Sequence, residues 1–205
     1  MTFLWTLPVS FLIGSIPFAK IAMLGTGVDI TRVGSGNPGF RNVARVASKW
    51  RAALTLIGDV AKGYVALLLL AHVAPSTPGV WLIAVAAVMG HCWSPFLGFN
   101  GGKGVATTIG VMLYLDPAVM VASLPLYVIL RVLGRRAGWR QEGAIASLAT
   151  LALTTALVLT VRGLVPGLLA ALVLAIVVLR HASNLREIAA SRGASPLSGA
   201  RPGGI

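Results

Sequence analysis

Long apolar runs separated by short cationic loops constrain this chain more than any other feature. Six runs contain few or no charges, at residues 3–24, 54–73, 80–97, 105–130, 143–161 and 164–179. An apolar helix needs about 20 residues to cross the roughly 30 Å hydrocarbon core of a bilayer. Only 11% of the residues are charged and 57% are hydrophobic, whereas soluble domains carry about 25% charged residues. The sequence therefore predicts an all-α integral membrane protein.

The distribution of cations predicts how the chain crosses the membrane. Asp116-Pro117 divides the run at 105–130 into two segments, 105–115 and 118–130, which reach only about 16–20 Å each at ~1.5 Å per residue. If both cross, four segments share one side: 25–53, 98–104, 131–142 and the tail from residue 180. These segments hold 14 of the 17 lysines and arginines. The other three are Lys20, Lys62 and Arg162. Because cytoplasmic loops are rich in Lys and Arg, we predict seven transmembrane helices, two of them short, with the N-terminus outside and the C-terminus inside.

Composition limits the domain organisation and the partners. Residues 1–190 are expected to form one membrane domain, and residues 191–205, rich in Gly, Ser, Pro and Ala, a disordered cytoplasmic tail. The net charge of +12 comes from cations in short loops, which favours an anionic substrate and membrane lipids over nucleic acid. Cys92 is the only cysteine and the five acidic residues lack metal-ligand spacing, so we expect no metal and no cofactor. No feature indicates an obligate protein partner.

A polar, glycine-rich loop between two apolar runs is the first candidate site. Its glycines are Gly101, Gly102 and Gly104, and Lys103 adds a mobile cation. Glycine lets backbone N–H groups approach an anion closely. The residues from Val105 onward are typical of a helix start, whose positive dipole end would point into the loop. The loop therefore suits a phosphate, and the alternative is a membrane turn with one interfacial lysine.

A second loop of similar chemistry lies at residues 34–45. It contains three glycines, three hydrogen-bonding side chains and an arginine: Gly34, Gly36, Gly39, Ser35, Asn37, Asn42 and Arg45. Residues 34–39 match GxGxxG, but no strand precedes them and Pro38 interrupts the pattern, which argues against a dinucleotide site. Backbone N–H groups in such a turn bind anions, and an arginine fork matches phosphate oxygens. The loop indicates a second anion site.

Two pairs of polar residues lie at or within the apolar runs. His181 and Asn184 are three residues apart and form a small polar face directed at the basic loops, although a lone interfacial histidine is more often structural. Asp59 and Lys62 are also three apart, within one span. They either form an ion pair or serve the function directly, because ionisable residues are costly inside a membrane. We expect Asp59 to hold Lys62 or the arginine loop rather than to act as an acid or base.

The motifs together resemble those of the bacterial membrane acyl-phosphate:glycerol-3-phosphate acyltransferases. The matching residues are Gly34-Ser35-Gly36-Asn37-Pro38-Gly39 with Asn42 and Arg45, Gly58-Asp59 with Lys62-Gly63, Gly90-His91, Gly98-Phe99, residues 101–107, His181 and Asn184. The resemblance implies seven spans in the bacterial inner membrane and an active site on the cytoplasmic face. It also implies conversion of glycerol 3-phosphate to lysophosphatidic acid, with acyl phosphate as donor, as the first acylation of phospholipid synthesis. The chain departs from the family pattern at Phe40-Arg41, Ala144 and Glu187.

Both substrates of that reaction carry phosphate, and the sequence offers two loops suited to phosphate. We predict catalytic roles for Lys103, Ser35, Arg45 and His181. We predict substrate binding by the neighbouring glycines and asparagines, which are Gly34, Gly36, Asn37, Gly39, Asn42, Gly101, Gly102, Gly104 and Asn184. Which loop holds which phosphate stays open, and the proton acceptor is either His181 or a substrate phosphate. The rival interpretation is a small membrane transporter for phosphate-bearing solutes. Two observations argue against it: the polar loops cluster on one predicted face, and no inverted repeat is visible.

Overall fold

The computed structural model describes residues 3–193, with side chains as far as residue 190. Within residues 3–193 the secondary structure is entirely helical, which confirms the predicted all-α class. The α-helices are α1 (Thr6–Ser15), α2 (Phe18–Ala22), α3 (Phe40–Val46), α4 (Lys49–Leu70), α5 (Thr77–Cys92), α6 (Val105–Leu115), α7 (Pro117–Arg136), α8 (Glu142–Arg162), α9 (Leu164–Arg180) and α10 (Ala182–Gly193).

Four of these helices are long and apolar enough to cross a membrane: α4, α5, α7 and α8. Helix α9 and the first part of α10 meet at an angle of 61° and together can supply a fifth span. Residues Thr6–Ala22 and α6 are apolar but shorter. The predicted start of the tail at residue 191 falls within α10, and residues 194–205 lie outside the described part of the chain.

The predicted break at Asp116-Pro117 is present, but the helix that follows it is not short. Asp116 caps α7 by accepting a hydrogen bond from the N–H of Val119 (3.3 Å). Helix α7 then runs for 20 residues to Arg136, which is about 30 Å at ~1.5 Å per residue. The predicted end at residue 130 is therefore wrong. Arginine is a good helix former, so the basic residues continue the helix and the chain turns only near Gly138, where φ is +65°.

Pro17 divides the first apolar run into α1 and α2. Ile16 has a ψ of 120°, the extended conformation that a following proline favours. At the break the Ile16 carbonyl accepts a hydrogen bond from the N–H of Phe18 (3.1 Å) in place of the regular helical bond, and a second one from Lys62 Nζ of α4 (2.9 Å). A polar contact inside the bundle thus follows directly from the position of one proline.

Glycines allow pairs of helices to pack at backbone contact. Where α1 meets α5, a Cβ at Gly14 or Gly90 would lie 2.0 Å from a carbonyl oxygen of the other helix. Where α4 meets α6, a Cβ at Gly110 would lie 1.9 Å from the carbonyl oxygen of Val60. Small residues at helix interfaces are typical of membrane proteins, in which close packing drives helix association. These contacts hold the four helices that support the polar loops.

Replacing Gly110 with alanine is expected to destabilise the bundle by about 1–3 kcal/mol, the usual cost of overpacking a fixed interface. The new methyl group would meet backbone atoms of Val60, which no side-chain rotation can move away. A lower midpoint of thermal unfolding in detergent would measure the effect. Val121→Ile is the control, because it adds one methyl group at a side chain that is 58% exposed. An equal loss in both variants would contradict the role of close packing.

Candidate active site

A cavity of about 890 Å³ lies where several polar segments meet. Ser35, Gly36 and Asn37 line it from the first glycine loop, Gly101 and Lys103 from the second, and Asn184 from α10. Its volume is within the range of about 300–1,000 Å³ that ligand sites usually have. Residues that the sequence assigned to two separate phosphate loops therefore face a single shared space.

The first glycine loop is shaped by the buried side chain of Asn42 on α3. Its Oδ1 accepts a hydrogen bond from the N–H of Ser35 (2.8 Å), and its Nδ2 donates to the carbonyls of Ile30 (3.1 Å) and Val33 (2.9 Å). A Cβ at Gly34 would lie 2.2 Å from Asn42 Oδ1, so only glycine fits beside it. Asn42 and Gly34, which we predicted to bind substrate, instead hold Ser35 in its place on the cavity wall.

The second glycine loop is anchored to the end of α5 through its own backbone. The N–H of Gly101 donates to the Cys92 carbonyl (3.1 Å), and the N–H of Gly102 donates to the His91 carbonyl (3.0 Å). The prediction that these two N–H groups bind phosphate is therefore wrong, because the protein already uses both. Gly104, with a φ of +84°, then turns the chain into α6. The anchored loop leaves Lys103 on the cavity wall.

Arg180, the last residue of α9, holds the same loop from its carbonyl side. Its Nε donates to the Gly102 carbonyl (3.1 Å) and its Nη2 to the Gly101 carbonyl (2.8 Å). The guanidinium carbon lies 5.7 Å from the centre of the Trp93 ring. Arg180 also lines the cavity, so it adds a fixed positive charge. Sequence reasoning missed this role, because it counted Arg180 only among the cations of the tail.

Lys103 is held by a side chain that comes from α10. Its Nζ donates to Asn184 Oδ1, and Asn184 Nδ2 donates to Gln141 Oε1 (2.6 Å). Burial lowers the pKa of Lys103, and the positive charges of Arg41 and Arg180 lower it further. The ammonium group is thus partly desolvated and surrounded by like charge. A phosphate that entered the cavity would relieve both effects.

His181 is buried at the junction of α9 and α10. Its Nδ1 lies 2.8 Å from the Val177 carbonyl, so Nδ1 carries the proton in the neutral ring and Nε2 carries the lone pair. Burial above all, with the positive charges of Lys103 and Arg41, lowers the pKa of His181 to about 4, although the hydrogen bond to Val177 acts in the opposite direction. The ring is therefore uncharged at neutral pH. It cannot balance a phosphate charge, and Nε2 is only a weak proton acceptor at this pKa. His181 is not among the residues that line the cavity.

Other predicted residues lie around the cavity rather than on its wall. Arg45 is exposed on α3, whereas Arg41 on the same helix is partly buried and lies 3.6 Å from Glu142 (Nη2 to Oε1). Gly39 precedes α3 in an extended conformation. A Cβ at Gly102 would lie 2.1 Å from His91 Nε2. Gly39 and Gly102 therefore shape the two loops, and Arg45 adds charge outside the lining.

The predicted pairing of Asp59 with Lys62 is confirmed. Lys62 Nζ lies 2.7 Å from Asp59 Oδ1, and both side chains are buried between helices. His91 Nδ1 lies 3.5 Å from the same oxygen. Because the His91 ring and carbonyl both contact Gly102, this buried cluster connects the helix bundle to the second glycine loop.

Comparison with known proteins assigns the chain to a family. The model of the glycerol-3-phosphate acyltransferase family matches residues 4–191. The chain belongs to this family. A glycerol-3-phosphate acyltransferase of Neisseria gonorrhoeae (strain NCCP11945) is 43% identical over 190 residues, which cover 88% of this chain and 90% of the relative. The corresponding protein of Laribacter hongkongensis (strain HLHK9) is 35% identical over 196 residues, with coverage of 92% and 93%.

Solved structures share the fold of this acyltransferase. The crystal structure of PlsY (YgiH), an integral membrane glycerol 3-phosphate acyltransferase, in its glycerol 3-phosphate form gives a TM-score of 0.83 with 27% sequence identity. The lysophosphatidic acid form gives a TM-score of 0.81 with 26% identity. Each alignment covers 94% of both chains. The chain is therefore an integral membrane acyltransferase, as the resemblance in its motifs implied.

Replacing Gly101 with alanine is expected to lower the turnover of the acyltransferase about 100-fold, the loss that an error of about 1 Å in position can cause. The new Cβ would lie 2.0 Å from the His91 carbonyl oxygen, so the loop and Lys103 with it would have to move. Initial rates with saturating substrates measure the effect. The control Gly138→Ala also strains a loop backbone, because its φ is +65°, but no atom lies within 4 Å of the new Cβ. A similar loss there would contradict the importance of the clash with His91.

Proposed function

We propose that the chain transfers an acyl group from acyl phosphate to the 1-hydroxyl of glycerol 3-phosphate. The products are lysophosphatidic acid and inorganic phosphate, and the step is the first acylation of phospholipid synthesis. Family membership indicates glycerol 3-phosphate as the acyl acceptor. The related PlsY structures are named for their glycerol 3-phosphate and lysophosphatidic acid forms. The choice of acyl phosphate as donor rests on the motifs and on the chemistry of the cavity.

The observation that carries the proposal is that Ser35 and Lys103 line the same cavity. Each belongs to a glycine-rich loop next to a helix start, and Lys20 and Arg180 add further positive charge to the lining. Two phosphorylated reactants need two such positions side by side. The apolar lining residues Phe96, Leu97 and Leu179 offer a surface that the acyl chain of the donor can contact.

Acyl phosphate already carries a good leaving group, so the reaction needs no covalent enzyme intermediate. The hydroxyl oxygen of glycerol 3-phosphate attacks the acyl carbon, the bond from that carbon to the phosphate oxygen breaks, and phosphate leaves. Holding the two reactants in line supplies much of the rate enhancement. Lys103 and the first turn of α6 bind one phosphate and stabilise its growing charge. Ser35, Gly36 and Asn37 bind the other.

The hydroxyl proton passes either to Nε2 of His181 or to a phosphate oxygen of the substrate. The neutral His181 ring has its lone pair on Nε2, but its low pKa makes it a weak base and it is not among the residues that line the cavity. A substrate phosphate is the other acceptor and requires no protein base. Arg45, exposed beside the first glycine loop, attracts phosphorylated substrates towards the cavity by long-range charge.

We also propose that the chain crosses the bacterial inner membrane seven times, with its N-terminus outside and its active site on the cytoplasmic face. The four long helices, α9 with its bend into α10, and the two shorter apolar stretches supply the crossings. The cavity is built from the segments that carry most of the cations, which favours the cytoplasmic side. Arg162 at the end of α8 pairs with Asp116 (2.7 Å), so the one cation predicted on the other face is neutralised.

Purified protein in vesicles, given acyl phosphate and glycerol 3-phosphate, tests the proposal directly. Formation of lysophosphatidic acid with equal release of phosphate is the expected result. Acylation from a thioester donor, with none from acyl phosphate, would overturn the assignment of the donor. Uptake of glycerol 3-phosphate into the vesicles without any chemistry would instead support the transporter interpretation.

A further inference from the structure

Glu187 is the only acidic residue on the wall of a cavity suited to anions, among the lining residues that the structure describes. A carboxylate there repels a phosphorylated substrate, so its presence needs a physical reason. Its two oxygens accept hydrogen bonds from Gln141 Nε2 (2.5 Å) and Arg140 Nη2 (3.0 Å). Glu187 is therefore directed at the α7–α8 loop.

The contact with Gln141 continues as a chain of hydrogen bonds to the active-site lysine. Gln141 Oε1 accepts from Asn184 Nδ2 (2.6 Å), and Asn184 Oδ1 accepts from Lys103 Nζ. Gln141, Asn184 and Glu187 all line the cavity together with Lys103. One carboxylate, two amides and one ammonium group thus form a continuous series along one wall.

The two ends of the series fix the direction of every bond within it. An ammonium group only donates hydrogen bonds and a carboxylate only accepts them, whereas a side-chain amide does either, depending on which way it is turned. With Glu187 accepting, Gln141 turns its oxygen towards Asn184, and Asn184 then turns its oxygen towards Lys103. A residue that only donates at position 187 would reverse both amides and set an NH₂ group against the lysine.

The backbone of Gln141 gives independent support. Its φ is +59°, a left-handed conformation that disfavours residues with a side chain and favours glycine. Such outliers persist where the surroundings hold them, and they are concentrated at functional sites. Because the Gln141 side chain bonds to both Asn184 and Glu187, it gives a reason why this position is not glycine.

We propose that Glu187 is a positioning residue for catalysis, which orients Gln141 and Asn184 so that the amide oxygen of Asn184 holds Lys103 at the cavity wall. This inference rests on the phosphate-binding role given to Lys103 in the proposed function. It assigns a use to Glu187 and Gln141, which belong to segments where the chain departs from the family pattern. Neither residue contacts the reacting atoms, so their effect passes through the lysine.

Reversal and restoration of the bond direction test the proposal. E187K is expected to lower kcat/KM about five- to tenfold, which is the loss that one or two misdirected hydrogen bonds cause. Q141E alone is also expected to lower it, because two carboxylates would then face each other. The double variant Q141E/E187K restores an acceptor beside Asn184 and pairs it with the introduced lysine, so most of the lost activity should return. E187Q, whose amide oxygen can still accept, should retain more activity than E187K.

The control L185K adds positive charge to the same helix at a side chain outside the cavity lining that is 37% exposed, and wild-type kinetics are expected. Unchanged kinetics in E187K, or a double variant no better than E187K, would overturn the positioning role. If E187K does not fold, E187L serves in its place, since it removes the acceptor without adding a donor.

The wild-type enzyme is assayed in parallel. If it does not acylate glycerol 3-phosphate, the proposed function fails, whereas an active wild type with an unaffected E187K rejects only the positioning role.

Discussion

Replacing Lys103 with alanine is expected to reduce turnover by roughly 10²–10³-fold or more, the range seen when one preorganised charge-stabilising group is removed from an active site. The lysine lines the cavity, lacks full solvation and faces like charge from Arg41 and Arg180. An anion is therefore the partner that stabilises it best. Phosphate release and lysophosphatidic acid formation, measured with acyl phosphate as donor, would record the loss.

Matched variants separate the loss of charge from damage to the fold. Because Nζ of Lys103 contacts only the side chain of Asn184 among the hydrogen bonds described, K103A should insert in the membrane and unfold at nearly the same temperature as the parent. K103R keeps the charge but presents a larger, planar group, and an intermediate rate is expected. Full activity in K103A would refute the role given to the lysine.

Part of the site is visible in the sequence because its chemistry is local. Gly101, Gly102 and Lys103 are adjacent, and a glycine-rich segment with a cation just before a helix start is typical of an anion site. The break at Asp116-Pro117 is equally local, since proline cannot continue a helix from within. The position of such features follows from neighbouring residues alone, and in the structure Lys103 and Ser35 line the same cavity.

Other parts depend on contacts between distant residues, which spacing does not reveal. Arg180 donates to the carbonyls of Gly101 and Gly102 across almost 80 positions of sequence. The same glycines donate their N–H groups to the end of α5, so amides that look available in the sequence are occupied. Asn42 likewise uses its side chain to bind loop carbonyls. A motif predicts which residues gather, but not which of their atoms remain free.

The departures from the family pattern at Arg41 and Glu187 both contact the segment around the start of α8, in which the departure at Ala144 lies. Arg41 lies close to Glu142, and its guanidinium occupies the space that a Cβ at Gly143 would need. Glu187 bonds to Gln141, two residues from Gly143. The departures on α3 and α10 thus share one contact segment around the start of α8.

Replacing Asp59 with asparagine is expected to cost about 3–5 kcal/mol of folding free energy, because removing one partner of a buried ion pair leaves the other charge uncompensated. Lys62 Nζ would keep neutral acceptors, the Ile16 carbonyl and the new amide oxygen, but would lose the negative charge that balances its own. A lower midpoint of unfolding in detergent measures the loss. Turnover should fall as well, since His91 connects Asp59 to Gly102.

The double variant D59L/K62M decides whether the pair is there for stability or for position. Replacing a whole buried ion pair by apolar residues of similar size is often neutral or stabilising, so the double variant should unfold at a higher temperature than D59N. If the pair also orients His91 against the glycine loop, the double variant regains stability but not turnover. Recovery of both stability and turnover would show that Asp59 and Lys62 only neutralise each other. Equal stability of D59N and the parent would contradict the assignment of Asp59 and Lys62 as a buried ion pair.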